Sequence, residues 1–561
     1  MEKLVSQPFR HFLKKFYKPF SVGCFALIIT DASDIISPYL MGLLLDRFQE
    51  QQNLEGTGFI FLTLLAASLV TALFRYVWRI YFARFHHSVA LDLRLRCFES
   101  YFKKDLLEFD KQPTGDKMSI FSKDIENFRM GIGPGLLILL DAIVYLVLIP
   151  IAMWKINPNW TLLLLFIVPI IPLVIANMEM KLNSLFDTQQ KELSTLSSLA
   201  QESLEGLKVI KSFRMEKFRS FLYDSENKKL FNTSVKLDFL HSSFSPVLEF
   251  FVSVSCAGLL FAVAYYSDLS SLKIGSLFAF YQYMQRMTWP LTALGLSYMM
   301  ISEARSSFKR MKPVLTAGRS EGQVSGPPSE KDSFVQIKNI DFAYPEEESF
   351  FSNLSLDLKK DSSYLIAGKT KSGKTSLFNI LNGLIQTNKG QRRTDCSIVS
   401  NPQVPFLFMD TVDKNIDTGS KIQNTDLERI AFESEYNNLT HKGETLIGEK
   451  GTSLSGGQKQ RLSLLRAFKS NSDAIFLDEP ISAVDEITKQ KIVETLKSSS
   501  KQMVIVTSNP EHYTWMDRVL LVEESRDNST FQRSVLDLSM SEALKRKSFS
   551  ELLRIQEKSE D

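Results

Sequence analysis

An α-helical six-span transmembrane domain followed by an α/β P-loop nucleotide-binding domain is the fold class this sequence predicts, and three observations predict it. Gly135–Trp154 and Thr161–Ala176 are near-continuous apolar runs of bilayer-spanning length, parted only by the polar turn Lys155-Ile-Asn-Pro-Asn. Far downstream, the octapeptide Gly368–Thr375 (GKTKSGKT) fits G-x-x-x-x-G-K-[ST], a loop whose backbone N–H groups curl around phosphate oxygens. The mean hydropathy of −0.05 is too high for a charged cytosolic enzyme and too low for a pure membrane protein. It is the average of two unlike halves.

Four further stretches, Phe20–Leu45, Gly58–Phe82, Phe244–Tyr266 and Ser276–Met300, are apolar with a few polar groups each and complete a set of six spans. Arg10, Lys14, Lys15 and Lys18 crowd the amino terminus, and the stretches 84–128 and 181–236 are dense in charge, whereas the loops near Glu50–Glu55 and Asp268–Lys273 are poorly basic. The positive-inside rule then puts the amino terminus, both long stretches and the carboxyl-terminal half on the cytosolic side of a bacterial plasma membrane. The first apolar run has no small-residue cleavage site, so it is expected to stay as a span. Apolar residues recur at helical spacing in Leu91–Phe102 and Leu193–Phe213, which predicts helices that continue the spans into the cytosol.

Residues 1–312 are thus the expected transmembrane domain. A Gly-, Ser- and Pro-rich stretch, 313–332, is the expected linker, and 333–561 the expected nucleotide-binding domain. The net charge of +3 over 561 residues leaves no polybasic footprint for nucleic acid. Cys24, Cys97, Cys256 and Cys396 lie far apart, without metal-ligand spacing or the clustering of a disulfide scaffold. The tail beyond Arg526 is polar apart from Val535–Leu544 and Phe549–Ile555, which are expected to be short helices.

The phosphate loop sits in the context its chemistry needs. Ser363–Gly368 reads as a buried strand and the run from Ser376 to Leu381 as the apolar face of a helix, whose positive dipole end adds to the loop's own N–H groups. Lys374 would reach the terminal phosphates of ATP and Thr375 would ligate Mg²⁺. A second apolar strand, Ala474–Pro480 (AIFLDEP), ends in two carboxylates. Asp478 would hold Mg²⁺ through water, and Glu479 would orient or deprotonate the attacking water.

With those fragments in place, Leu454–Arg461 (LSGGQKQR) resembles the signature of ABC-type ATPases. The resemblance implies that Gly368, Lys371, Ser372, Gly373, Lys374, Thr375 and Ser376 cradle the phosphates. It further implies that Tyr344 stacks on adenine, that Gln403 touches Mg²⁺ and senses the membrane domain, and that Asp485 is the D-loop carboxylate. In the family, Ser455, Gly456, Gly457 and Gln458 would close over ATP held by an opposite subunit, so a chain with one such domain needs a second chain. The membrane half is similar to type I exporter half-transporters: Phe109–Ser119 with Lys123–Asn127 resembles the first coupling helix, and Glu202–Glu216 the second. The implied activity is ATP hydrolysis that drives export of an amphipathic drug, lipid or peptide.

Three departures sharpen the expectation. Ser508 follows the apolar run Met503–Thr507 where most members carry a histidine that positions water, and His512 comes four residues late. Lys371 takes a loop position that is usually glycine. The interval from Gly373 to Gln403 is short, as though an antiparallel hairpin had been trimmed. The trimmed interval and the Val-Thr-Ser ending resemble the first nucleotide-binding half of C-subfamily exporters and of a chloride channel of that group, where the site hydrolyses slowly or not at all. A heterodimer in which this chain lends its signature to a fast site and carries a slow one is the preferred reading. A homodimer and an ATP-gated channel are the alternatives. Intramembrane Asp31, Asp34, Arg75, Arg79, Asp141, Glu249, Gln282, Gln285 and Arg286 could serve helix pairing or substrate contact.

Overall fold

The computed structural model describes residues 6–49, 57–167, 170–266, 273–316, 328, 332–344, 350–387, 389–416, 422–448, 454–527 and 530–554. The chain divides into two units, Met1–Phe102 with Gln112–Ala317 and Lys103–Lys111 with Gly318–Asp561. Most of the expected linker and both poorly basic loops lie outside the described residues.

The first unit is all helix. Its long elements are Tyr17–Gln49, Thr57–Tyr101, Leu136–Ile156, Ile170–Glu205, Glu216–Ser242, Phe244–Tyr266, Ile274–Arg286 and Thr288–Leu315. Among the described residues, Tyr17–Phe48, Thr57–Tyr101 and Thr114–Ile156 are long and apolar enough to cross a membrane. The 45-residue helix Thr57–Tyr101 is about 68 Å long at 1.5 Å per residue, twice what a hydrocarbon core needs. It therefore continues beyond the bilayer, as the periodicity in Leu91–Phe102 predicts. There Phe85, Val89, Leu93 and Cys97 pack with Phe12, Phe128 and Phe308 into a buried aromatic cluster.

Small residues set the closest helix approaches. A Cβ on Gly275 would stand 1.8 Å from the Gly42 carbonyl oxygen, and one on Gly42 2.5 Å from the Gly275 oxygen, so the backbones of the first and last spans touch there. Alongside, the Gly275 N–H donates to Asp46 Oδ1 at 2.6 Å. The sequence reading pairs the last span's start with nothing, because two lone glycines 233 positions apart carry no periodic signal.

Among the described residues, the second unit is an α/β domain with nine strands in two sheets. Strands β1 (Ser333–Phe342), β2 (Phe351–Lys359) and β4 (Lys389–Thr394) form an antiparallel sheet ordered β2-β1-β4. The larger sheet adds β3 (Tyr364–Gly368), β5 (Ile398–Asn401), β6 (Ala474–Asp478), β7 (Gln502–Val506), β8 (Arg518–Asp527) and β9 (Thr530–Ser539), ordered β5-β6-β7-β3-β8-β9. Helix Lys374–Asn382 is packed between the sheets, with Leu377, Phe378, Ile380 and Leu381 against Phe334, Ile337, Leu358, Phe476 and Val504. The trimmed interval accounts for itself: between helix Lys374–Asn382 and β5 there is the single strand β4, paired with β1, and no hairpin among the described residues.

One expectation is corrected. The tail is not only helical: β9 runs antiparallel to β8 from Arg518↔Ser539 to Asp527↔Thr530, so Val535–Ser539 is strand and only Met540–Lys545 and Lys547–Arg554 are helices. Val535 packs against one buried cluster and Leu536 and Leu538 against another, so this edge strand has apolar neighbours on both faces. Lys103–Lys111, which overlaps the start of the expected first coupling helix Phe109–Ser119, belongs to the second unit. Leu106 and Leu107 join the core beside helix Lys374–Asn382, Leu106 N–H donates to the Leu384 carbonyl at 3.3 Å, and Gln386 N–H to Asp105 Oδ1 at 3.2 Å.

Candidate nucleotide site

Parallel strands β6, β7 and β3 are neighbours, so their carboxyl ends deliver Asp478 and Glu479, Thr507 and Ser508, and the loop 369–373 to one edge of the sheet. That edge is where open α/β sheets bind ligands. The loop returns into helix Lys374–Asn382 through Gly373, whose φ of 105° only glycine adopts without strain. A Cβ there would also lie 2.7 Å from the Phe350 ring.

Lys374 is buried, and its ammonium donates to the Gly368 and Lys369 carbonyls at 2.9 Å each, bracing the loop from inside. Burial holds its pKa below the usual lysine range, with Glu479 and Asp478 opposing that shift. The Ser372 hydroxyl is fully enclosed without a hydrogen-bond partner, an orphaned polar atom at the centre of a cationic loop. Asp478, 4% exposed, is pushed up to about 6 by burial and then by neighbouring Glu479, while Lys374 and a hydrogen bond from Thr375 pull it down. The buried Asp478 carboxyl and the exposed Thr375 hydroxyl that bonds to it, beside a buried lysine, fit a phosphate-bound divalent cation, which would return Asp478 to its charged form.

Glu479 makes the turn out of β6. Its φ is 48°, and its N–H donates to the Val506 carbonyl at 2.9 Å. This left-handed turn swings the carboxylate onto the end of β7. Ser508 N–H and Oγ donate to Oε1 at 2.5 and 2.7 Å, and Thr507 Oγ1 donates to Oε2 at 3.1 Å. His512 sits in the single turn Pro510–Tyr513 and its carbonyl accepts from Trp515 Nε1 at 3.1 Å. The group that meets Glu479 is Ser508.

The other expected site residues are distributed. Tyr344 packs edge-on to Phe342 and Phe350, and its hydroxyl lies 2.8 Å from Ser376 Oγ. Gln403 is exposed in the loop after β5. Ser455 caps helix Gly456–Lys469 by accepting from Gln458 N–H at 3.3 Å, and the Gln458 side chain returns the bond to Ser455 N–H at 2.9 Å. A Cβ on Gly456 would meet nothing within 4 Å, so this helix end is open to an incoming group. Asp485 caps helix Glu486–Lys497 by accepting from Thr488 N–H at 3.0 Å, which lowers its pKa.

Residues 20–291 match the family model of the ABC transporter transmembrane region, and residues 351–482 match that of the ABC transporter itself. The chain is an ABC transporter. It is 25% identical over 90% of its length, and 92% of the relative's, to the multidrug resistance-like ATP-binding protein MdlA of Buchnera aphidicola subsp. Baizongia pistaciae. It is 26% identical over 87%, and 86% of the relative, to MdlA of Escherichia coli K12. Identity to an ATP-dependent lipid A-core flippase of Syntrophus aciditrophicus is also 26%, covering 86% and 83%. Its fold matches a bacterial Atm1-family ABC exporter with ATP bound at a TM-score of 0.75, with 19% identity over 96% of this chain and 99% of that one. The ABC transporter is thus a membrane-embedded protein that binds ATP and couples its hydrolysis to transport.

One residue of this ABC transporter escapes sequence reasoning although it stands inside the signature run. Gln460, buried, donates from Nε2 to the Glu479 carbonyl at 2.7 Å and to Ser482 Oγ at 3.2 Å, while its Oε1 accepts from Ala483 N–H at 2.9 Å. It ties the signature helix to the turn that aims Glu479. Thr507 is the second such residue, hidden because a strand-end threonine has no distinctive spacing.

Lys371 explains itself in the backbone. Its φ is 67°, the left-handed region that costs a side chain about 1–2 kcal/mol. Lys371→Gly is expected to leave the melting temperature of the nucleotide-free protein nearly unchanged, since relief of strain and added chain entropy oppose each other. Lys371→Val is expected to lower stability by about 1–2 kcal/mol, because a β-branched side chain is least tolerated there. Equal melting of the two variants would mean the turn is not left-handed.

Proposed function

We propose that this chain is half of a dimeric exporter that moves an amphipathic substrate out of the cytosol or inner leaflet, its nucleotide-binding unit lying in the cytosol. The names of the relatives, multidrug resistance-like proteins and a lipid A-core flippase, support a drug or lipid. In this reading Gly368–Ser376 hold the phosphates, Tyr344 meets the adenine, and Thr375, Asp478 and Gln403 hold Mg²⁺. The ion would neutralise charge on the phosphate oxygens. Glu479 orients the attacking water and accepts its proton. Ser455–Gln458 and Asp485 serve the nucleotide of the partner chain. ATP that binds the closed pair better than the open one would pull the cytosolic lobes together and tilt the spans; a ligand indifferent to the two states would move nothing.

The observation that carries the finer reading is the grip on Glu479. Three donors, Ser508 N–H, Ser508 Oγ and Thr507 Oγ1, take three of the carboxylate's roughly four acceptor sites, both of those on Oε1. A base so engaged must give up hydrogen bonds before it can act, which supports a slow site and, with an intact signature, a heterodimer whose other chain supplies the faster Walker motifs. The test is the ATPase of the purified chain alone. Turnover below the usual ~1–10 s⁻¹ of such enzymes, rising when a co-expressed second half-transporter is present, is the expected result. Full turnover from the chain alone would make it a homodimer.

A further inference from the structure

Within the helical unit, Asp31 is 2% exposed. Its Oδ2 is enclosed with no hydrogen-bond donor, and its carboxyl lies at hydrogen-bonding reach of the Asp141 carboxyl on another span. The neighbouring charges are already balanced. Asp34 forms an ion pair with Arg286 and accepts from Tyr145 Oη at 3.0 Å, and Arg286 also donates to the Asp34 carbonyl at 2.9 Å. Arg75 acts on both carboxyls through space, but its residue lies on an exposed side of its helix. Asp31 and Asp141 are therefore left facing each other in an apolar segment, and two carboxyls in contact stay together only with one proton between them.

One side of the pair is open and aromatic. Trp289, 48% exposed, donates from Nε1 to Asp141 at 2.7 Å, which fixes a half-exposed indole beside the carboxylate. A carboxyl pair beside an indole face suits a weakly hydrated organic cation, which gains both charge contact and cation–π attraction. A bare alkali ion would need a fuller shell of oxygens.

We propose that Asp31 and Asp141, with Trp289, form the site for the positive group of a lipophilic monocation, a substrate class that rests on the export reading above. The cation enters as the shared proton leaves. The pair goes from one negative charge to two as the proton leaves, and the bound monocation returns the site to one, so the exchange is electroneutral at the site.

The test uses the full chain purified in detergent and tetraphenylphosphonium in equilibrium dialysis. The near-isosteric anion tetraphenylborate controls for shape. Asp31→Asn and Asp141→Asn are each expected to weaken phosphonium binding by about 10–100-fold and to leave tetraphenylborate no weaker. Because binding expels a proton, wild-type phosphonium affinity should also rise with pH, by up to about tenfold per unit while the pair holds its proton, and lightly buffered medium should acidify on binding. Unchanged phosphonium affinity in both variants, or wild-type binding without proton release, would overturn the proposal. ATP-driven phosphonium uptake into inverted vesicles that carry this chain together with a co-expressed second half-transporter separates the two readings. Binding without uptake sinks the export reading and leaves the site, whereas uptake that ignores both substitutions sinks the site and leaves export.

Discussion

Glu479→Gln is expected to lower ATP turnover at this chain's own site by roughly 10²–10⁴-fold, the usual contribution of a positioned proton acceptor, with nucleotide binding retained. The substitution keeps shape. The amide oxygen can still accept from Ser508 N–H and Oγ, which now lie 2.5 and 2.7 Å from Oε1, and Thr507 Oγ1 can rotate to accept from the new amide. The backbone turn, with its N–H on the Val506 carbonyl, is untouched, and so are Lys374 and Thr375. What disappears is the capacity to take a proton. Single-turnover phosphate release, measured beside nucleotide retention on the same preparation, separates the two effects. Turnover within about twofold of the parent would assign the chemistry to another group and remove Glu479 from the mechanism.

That result bears on why Gln460 matters. Its amide spans the Glu479 carbonyl and Ala483 N–H, so a displacement of the signature helix shifts the peptide from which Glu479 is hung. The capping pair Ser455–Gln458 begins the same helix. In the proposed dimer, the end of the helix that would meet one nucleotide and the turn that would serve another are thus joined by one buried side chain. A small movement at the first is felt at the second because interior groups have no slack to absorb it.

The legible parts of the chain were those in which local chemistry forces local structure. A phosphate loop needs a strand before it and a helix after it, and β3 and helix Lys374–Asn382 are where that requirement puts them. Carboxylates at the end of an apolar strand must lie at a sheet edge, as Asp478 and Glu479 do. Long apolar runs must be helices. The illegible parts depended on what met what. Thr530–Ser534 reads as a polar tail and Val535–Ser539 as the start of a short helix until β8 lies beside them, since the pairing that makes them a strand comes from a distant run of the chain. Leu106 and Leu107 are two apolar residues in a charged run, too few for any periodicity, and only the helix ending near Leu384 gives them a place to pack. Asp34 and Arg286 are 252 positions apart, so their pairing is invisible to any windowed pattern. The same holds for the grip of Ser508 on Glu479: the serine could be noted as a departure, but not that it would become the carboxylate's principal partner.

Gly275→Leu is expected to destabilise the membrane unit by about 3 kcal/mol, the upper range for forcing volume into a packed contact. That corresponds to a fall of roughly 6–12 °C in melting temperature for a unit of this size. The reason is that no side-chain rotation can relieve the clash. The obstacle to a new Cβ is the Gly42 carbonyl oxygen at 1.8 Å and Asp46 Oδ1 at 2.7 Å, so one helix must move bodily away from the other. Moving it breaks the Gly275 N–H bond to Asp46, made at 2.6 Å, in surroundings where water does not replace it. Further along the same helix pair, the bond from Tyr283 Oη to the Ile35 carbonyl at 2.7 Å and the ion pair of Arg286 with Asp34 would be stretched as well. Gly58→Leu is the matched control, because a Cβ on Gly58 meets nothing within 4 Å, and it should melt with the parent. Thermal denaturation of both variants in detergent, followed by size exclusion, reads the difference. A Gly275→Leu protein as stable as Gly58→Leu would mean that the first and last spans do not touch at Gly42.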